Sequence, residues 1–208
     1  MATRYCVGIS GGSASGKTKL LRELAARFPD SKIAIISQDN YYKPLEFQPI
    51  DSQGEVNYDL PECIDYLKLQ TDILKLKEGQ TVQQTEYVFN NPNRKSETWF
   101  IHPAPILVVE GLFIYHWKEI SSLLDLKIFI EAKEEVMWER RLRRDRSERS
   151  IKEEKIHYQW HHHVLPAYRN FLLPYRDTVD LIVINNQHFQ QSLRVIEDHF
   201  LQLLTHES

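Results

Sequence analysis

The stretch that most constrains this chain is Gly11-Gly12-Ser13-Ala14-Ser15-Gly16-Lys17-Thr18, which fits the pattern Gly-x-x-x-x-Gly-Lys-[Ser/Thr]. An apolar run, Tyr5 to Ser10, precedes it, and a helical pattern beginning Lys19-Leu20-Leu21-Arg22-Glu23-Leu24 follows. Strand, glycine loop and helix in that order form a cradle for phosphate. The glycines let backbone N–H groups converge on phosphate oxygens, and the helix N-terminus adds its positive end. Lys17 is placed to reach the β and γ phosphates and Thr18 to hold Mg²⁺. A glycine-rich structural turn is the competing reading. The flanking strand and helix favour a nucleotide site made by Gly11, Gly12, Ser13, Ala14, Ser15, Gly16, Lys17 and Thr18.

The rest of the chain has the rhythm that such a loop requires. Ile33 to Ser37, Ile106 to Val109, Leu126 to Ile130 and Leu181 to Ile184 are short runs rich in Val and Ile, as buried parallel strands are. Helical patterns separate them, and the last is the clearest, with Phe189, Leu193, Ile196, Phe200 and Leu203 at three- or four-residue steps. This predicts an α/β fold, a P-loop NTPase-type doubly wound parallel sheet, in one domain spanning 1–208. Thr81 to Pro103 breaks the rhythm, with Val82, Tyr87, Phe89, Trp99 and Ile101 around a polar turn at Asn90-Asn91-Pro92-Asn93. It reads as an inserted β-hairpin over 79–103. Lys plus Arg number 26 against 29 Asp plus Glu, so no global basic field points to a nucleic-acid partner. Two cysteines, Cys6 and Cys63, make no disulfide framework or metal pattern, and no apolar run approaches a membrane span. A cytoplasmic enzyme is expected.

A bound triphosphate does not say where its γ-phosphoryl group goes. A guanine-reading Asn-Lys-x-Asp is missing, because no Asn-Lys pair occurs in the chain, and Asp51-Ser52-Gln53-Gly54 reads as a turn rather than a switch. Two strands end in acids. Glu110, at the end of Ile106-Leu107-Val108-Val109-Glu110-Gly111, is a candidate Mg²⁺ ligand or a cap on the next turn. Asp39, in Ser37-Gln38-Asp39-Asn40-Tyr41-Tyr42, is a candidate base for an attacking hydroxyl or a helix N-cap. Glu139 to Arg149 concentrates positive charge and reads as an Arg-rich lid over 139–151 that closes on phosphates; a solvated face or an RNA patch are its other readings. His161-His162-His163 fans around a helix and reads as structural or surface rather than metal-binding.

With these motifs in order, the chain resembles the uridine kinase family, within a larger group that includes phosphoribulokinase and bacterial pantothenate kinase. The resemblance runs from Gly8-Ile9-Ser10-Gly11 to Asp180-Leu181-Ile182-Val183. It includes Asn57-Tyr58-Asp59, Lys127-Ile128-Phe129-Ile130, Arg140-Arg141-Leu142-Arg143-Arg144-Asp145 and Glu148-Arg149-Ser150. It implies that Asp39 is the general base for a nucleoside 5′-hydroxyl and that Asp59 binds ribose hydroxyls. By the same resemblance Tyr42 lines the sugar site, Tyr87 and Phe89 contact the base, and Gln159 contacts substrate. Arg140, Arg141, Arg144 and Arg149 take lid positions, with Arg140 toward ATP, Arg144 beside the transferring group, and Arg141 and Arg149 toward substrate. ATP and Mg²⁺ are the implied donor and cofactor.

Two positions depart from the family pattern. Pro92 stands where the hairpin carries a base-reading histidine, and Ile151 where a substrate-facing arginine is expected. The sequence therefore predicts a Mg²⁺-dependent kinase acting on the primary hydroxyl of a nucleoside or nucleoside-like molecule, with loose reading of the base. The partner is a small molecule and neither nucleic acid nor membrane; a homo-oligomer is compatible with the chain. A kinase of another metabolite, of nicotinamide riboside, pantothenate or sugar-phosphate type, and a non-catalytic ATP-binding module are the alternatives.

Overall fold

The computed structural model describes residues 3–89, 94–147 and 149–205, so Pro92 with its turn and Glu148 lie outside the described residues. In chain order the elements begin with β1 (Tyr5–Gly11), α1 (Lys17–Arg27), β2 (Ile33–Ser37), α2 (Tyr66–Lys77), β3 (Val82–Thr85), β4 (Thr98–Ile101) and β5 (Ile106–Glu110). They continue with α3 (Lys118–Ser121), β6 (Leu126–Glu131), α4 (Glu134–Ser147) and α5 (Glu153–Gln159). After α5 the helix runs on through a π-helical stretch, Trp160–Val164, then α6 (Leu165–Ala167), a second π-helical stretch, Tyr168–Leu172, and α7 (Leu173–Arg176). β7 (Leu181–Ile184) and α8 (Gln190–Thr205) follow.

Five strands form one parallel sheet in the order β2-β5-β1-β6-β7. The five short apolar runs of the sequence are these strands. Their alternation sorts side chains into two layers. Cys6, Ala34, Ile36, Leu107, Val109 and Phe129 face one side, packed with Leu69 and Ile73 of α2 and with Ile120 and Trp160. Val7, Ile9, Ile106, Val108, Ile128, Ile130 and Val183 face the other, against Leu20 and Leu24 of α1 and Leu193, Ile196 and Phe200 of α8. Strands covered on both faces are largely apolar, and in β5 the run Ile106 to Val109 is buried together with Glu110 at its carboxyl end. Asp65 fixes the start of α2 by accepting the Lys68 N–H at 3.0 Å.

β3 and β4 pair antiparallel, Val82 with Ile101 and Thr85 with Thr98, apart from the main sheet. Asp51 to Gly54 is a turn, as read from the sequence, with Gly54 at φ 80° and the Gly54 N–H donating to the Asp51 carbonyl at 3.1 Å. No described helix is long and apolar enough to cross a membrane.

The topology sets where a ligand can go. The connection from β1 to β2 passes over β5, which lies between them, so the carboxyl ends of β1, β2 and β5 open onto one crevice. In register, Ser37 of β2 lies beside Glu110 of β5, and Ile9 of β1 lies on its other side. The glycine loop and both strand-end acids therefore gather at one edge of the sheet.

Candidate active site

The loop after β1 is held by backbone geometry. Ala14 and Gly16 have left-handed conformations, φ 63° and 111°. A side chain at Gly16 would collide with the Asn185 amide, which donates to the Ser15 carbonyl at 2.7 Å. Asn185, just beyond β7, thus fastens the loop from the other end of the chain. Lys17 opens α1 and its Nζ donates to the Gly11 and Gly12 carbonyls at 3.0 and 3.2 Å, with a Glu110 oxygen at 4.0 Å. Burial pulls the Lys17 ammonium below its usual pKa, with Glu110 and Asp39 opposing that shift.

The two strand-end acids are joined by Ser37. Its hydroxyl donates to Glu110 at 2.9 Å and accepts the Asp39 N–H at 3.3 Å. Ser37, not Asp39, is therefore the cap of the short 3₁₀ turn from Gln38 to Tyr41, which removes the N-cap reading of Asp39. The Asp39 carboxylate faces the cavity and takes no hydrogen bond from another described residue. Gln38 is fully buried and accepts the Phe113 N–H at 2.8 Å, locking the turn onto the segment after β5. Glu110 is buried, and desolvation, with Asp39 next and Lys17 opposing, raises its carboxyl to about 7.

These groups line a cavity of about 410 Å³. Ser13, Ala14, Gly16, Lys17, Thr18, Asp39 and Glu110 form one end, with Arg140, Arg141, Arg144 and Arg149 along its side. Tyr42, Tyr58, Asp59, Phe89, Ile151, Gln159 and His163 form the other. Gly11, Gly12 and Ser15 belong to the loop's frame and do not line the cavity. Tyr87 also stands behind the wall: its ring packs on Phe89 at 4.7 Å and Tyr42 at 5.2 Å between centroids, and its N–H donates to Asn40 at 3.3 Å. Tyr42, Tyr58 and Phe89 pack mutually at 5.0 to 5.9 Å, and the Arg149 guanidinium lies 5.5 Å over the Phe89 ring.

The arginines of α4 and Arg149 beyond it carry their own counter-charge in Asp145. Asp145 has no exposed surface and is approached by Arg144 at 2.8 Å, Arg141 at 3.2 Å and Arg149 at 3.7 Å. Arg141 is itself buried and donates to the Ser13 hydroxyl at 2.9 Å, joining α4 to the glycine loop. Arg140 instead donates to the Asn185 and Asn186 carbonyls at 2.9 and 3.4 Å. Arg140, Arg141, Arg144 and Arg149 all line the cavity rather than forming only an outer face. The histidine triplet divides, with His163 buried against Asp51 at 2.7 Å and His161 and His162 exposed.

Sequence reasoning did not single out Tyr58, Asp145 or Asn185, and it took His163 only as one of three structural or surface histidines. Tyr58 and Asp145 sit inside the Asn57-Tyr58-Asp59 and Arg140 to Asp145 motifs. Nothing local marked Asn185 or set His163 apart from its neighbours; their partners are Ser15 and Asp51.

A family model described as Phosphoribulokinase / Uridine kinase family matches residues 6–190. A protein named uridine kinase from Borrelia duttonii is 36% identical over 205 residues, covering 97% of this chain and 96% of its own. Another, from Clostridium tetani, is 32% identical over 198 residues, covering 95% of each chain. Among solved structures, phosphoribulokinase from Rhodobacter spheroides superposes with a TM-score of 0.64 at 16% identity, over 88% of this chain and 70% of that one. D-glycerate 3-kinase from Cryptococcus neoformans gives a TM-score of 0.62 at 15% identity, over 89% and 87%. At these identities the structural likeness is one of fold, whereas the sequence matches reach the loop, both strand-end acids and the arginine helix together. The chain belongs to the phosphoribulokinase/uridine kinase family and is a small-molecule kinase with an ATP-binding P-loop.

Proposed function

We infer that the chain transfers the γ-phosphoryl group of ATP, with Mg²⁺, to the primary 5′-hydroxyl of a nucleoside or nucleoside-like molecule. The observation that carries this reading is the juxtaposition of Asp39 and Lys17 in a cavity whose far end offers a second carboxylate, Asp59, and the rings of Tyr42, Tyr58 and Phe89. A module that only binds ATP has no use for such a base. In this reading Asp39 accepts the proton of the attacking hydroxyl. Lys17 moves from the loop carbonyls to the phosphates, and Arg144 neutralises charge on the transferring group. Arg140 meets the nucleotide, and Arg141 and Arg149 meet the substrate. Asp59 holds ribose hydroxyls, Tyr42 and Gln159 the sugar, and Phe89, backed by Tyr87, the base.

The Thr18 hydroxyl and the Glu110 carboxylate are hard oxygen donors of the kind Mg²⁺ prefers. Glu110 and Asp39 lie near one ammonium in a desolvated place, where a divalent cation offsets their repulsion. When bound there, Mg²⁺ neutralises developing charge on the phosphoryl oxygens.

The nucleoside acceptor is supported by the relatives named uridine kinase. Ile151 in the cavity wall favours a second reading, an acceptor other than uridine, because it puts an apolar side chain where the family pattern has an arginine. The deciding measurement is kcat/KM with ATP and Mg²⁺ for uridine, cytidine, adenosine, nicotinamide riboside, pantothenate and the deoxy counterparts of the nucleosides. Several ribonucleosides are expected within about 10²-fold of one another, the spread left when no buried polar group reads the base, with each ribose compound ahead of its deoxy analogue. Turnover of pantothenate and of no nucleoside would overturn the reading.

A further inference from the structure

The turn between Tyr42 and Tyr58 contains a carboxylate, Asp51, with all its hydrogen-bonding directions filled. Asp51 Oδ1 accepts the backbone N–H groups of Gln53 at 2.8 Å and Glu55 at 2.9 Å. Its Oδ2 accepts the Tyr158 hydroxyl at 2.7 Å and lies 2.7 Å from His163 Nε2. An ionised carboxylate only accepts, so Nε2 carries the hydrogen in that pair. Against the desolvation of its place, these donors hold the Asp51 carboxyl well below the usual range. A surface turn needs none of this, since the two backbone bonds alone would close it.

The other two bonds reach the far wall of the cavity. The turn's incoming and outgoing sides meet at the bridge between Ile50 and Val56, and the Asn57 N–H donates to the Pro49 carbonyl at 2.9 Å. Asn57 in turn accepts the Asp59 N–H at 2.9 Å, so the outgoing side leads directly to Tyr58 and Asp59 in the cavity. Tyr158 and His163 belong to the helix that begins just after Arg149 and Ile151, and Gln159 and His163 of that helix line the same cavity. Lys155, one turn before, pairs with Glu55. The 3-to-4-residue steps from Lys155 to Tyr158 and Gln159 and on to His163 put these contacts along one side of the helix.

We propose that Asp51 is a positioning residue for the acceptor: it clamps the segment carrying Tyr58 and Asp59 against the helix carrying Gln159 and His163, and so sets the width of the acceptor end. The phosphate end has its own frame, from Asn185 to the glycine loop, and does not depend on this clamp. The proposal rests on the functional reading above for the identity of the acceptor, but not for which end of the cavity moves.

The test uses the full chain and the variants Asp51→Ala, Asp51→Asn and Tyr158→Phe. KM for ATP, KM for the acceptor that the wild type turns over fastest, kcat, and hydrogen exchange without ligand are measured. Asp51→Ala is expected to raise the acceptor KM about 10-fold or more, since small misplacements of binding groups are costly, while the ATP KM moves less than about 2-fold. Tyr158→Phe removes one hydrogen bond of four and is expected to raise the acceptor KM about 3-fold. Asp51→Asn falls between wild type and Asp51→Ala, because the amide oxygen still caps the turn and the amide N–H can donate to the other His163 tautomer. Exchange in Asp51→Ala is expected to quicken over Glu55 to Asp59 and not over Gly11 to Thr18. Equal rises in both KM values, or an unchanged acceptor KM with unchanged exchange at Glu55 to Asp59, would overturn the proposal. If Asp51→Ala does not fold, Tyr158→Phe decides by the same criteria. If the wild type phosphorylates no nucleoside, the functional reading falls, while the exchange pattern still decides the clamp.

Discussion

The two ends of the cavity are built by different means. The phosphate end comes from one continuous stretch, Gly11 to Thr18, and depends on backbone conformation: left-handed residues, converging N–H groups and the start of α1. The proposed acceptor end is lined by Tyr42, Asp59, Phe89, Arg149 and Gln159, which come from separate segments and present side chains rather than backbone. A backbone cradle can vary little without losing its shape. A wall of side chains can change one residue at a time, as Ile151 illustrates. On the proposed reading, the acceptor can therefore change while the loop stays as it is.

The comparison is broken most severely at Lys17. Lys17→Ala is expected to lower turnover about 10³-fold or more with the melting temperature nearly unchanged, since the lost group neutralises charge rather than supporting the core. A variant that keeps wild-type turnover would end the phosphate-loop reading. Asp39→Asn stands at the junction of the two ends. It is expected to lower kcat about 10²-fold or more, leaving both KM values close to wild type; a collapse of ATP affinity with kcat preserved would make Asp39 part of the phosphate end instead.

Asn185→Ala sharpens the contrast from the phosphate side. Leaving the Ser15 carbonyl unpaired costs about 1–3 kcal/mol, and we expect this to appear as roughly a 10-fold rise in the ATP KM, with the acceptor KM steady. The smallest effect concerns Glu110. Its folded-state pKa, about 7, lies above the ordinary glutamate value of 4.5, so the folded protein binds the extra proton between those values. Stability without metal should therefore fall as pH rises from about 4.5 to 7, and Glu110→Gln should remove that fall. Thermal melts across this range are expected to show the variant gaining on wild type as the pH rises toward 7.5. Parallel melting curves for the two proteins would show that Glu110 is not strained by its surroundings.

The contrast also tracks what the sequence reveals. The five strands were legible because burial on both faces forces short runs such as Ile106 to Val109. The glycine loop was legible because its function is local. Glu110 and Asp39 were visible as strand ends, but the cap was not: that role fell to Ser37, whose hydroxyl is claimed by Glu110 across the sheet. Asp145 lay in plain view among the arginines and could not be separated from them, since charge order along a helix does not say which side chain turns inward. Asp51 was read as a turn residue, which it is, while its bonds to Tyr158 and His163 span more than a hundred positions. The histidine triplet was placed on an ordinary helix, whereas Trp160 to Val164 is π-helical and widens the turn at the point where His163 goes inward. Long-range pairing of polar side chains leaves no periodic trace, and Asp51 reaches Tyr158 and His163 through such pairs.

The Asp145 cluster gives the arginine helix an electrical character of its own. One carboxylate shared among three guanidinium groups is an ionic lattice left short of anions, and the shortfall faces the cavity. A polyphosphate entering there completes a half-built salt rather than meeting a neutral cleft. Small anions at high concentration can fill the same deficit, so sulfate or inorganic phosphate should compete with the nucleotide and should steady α4 while they do so.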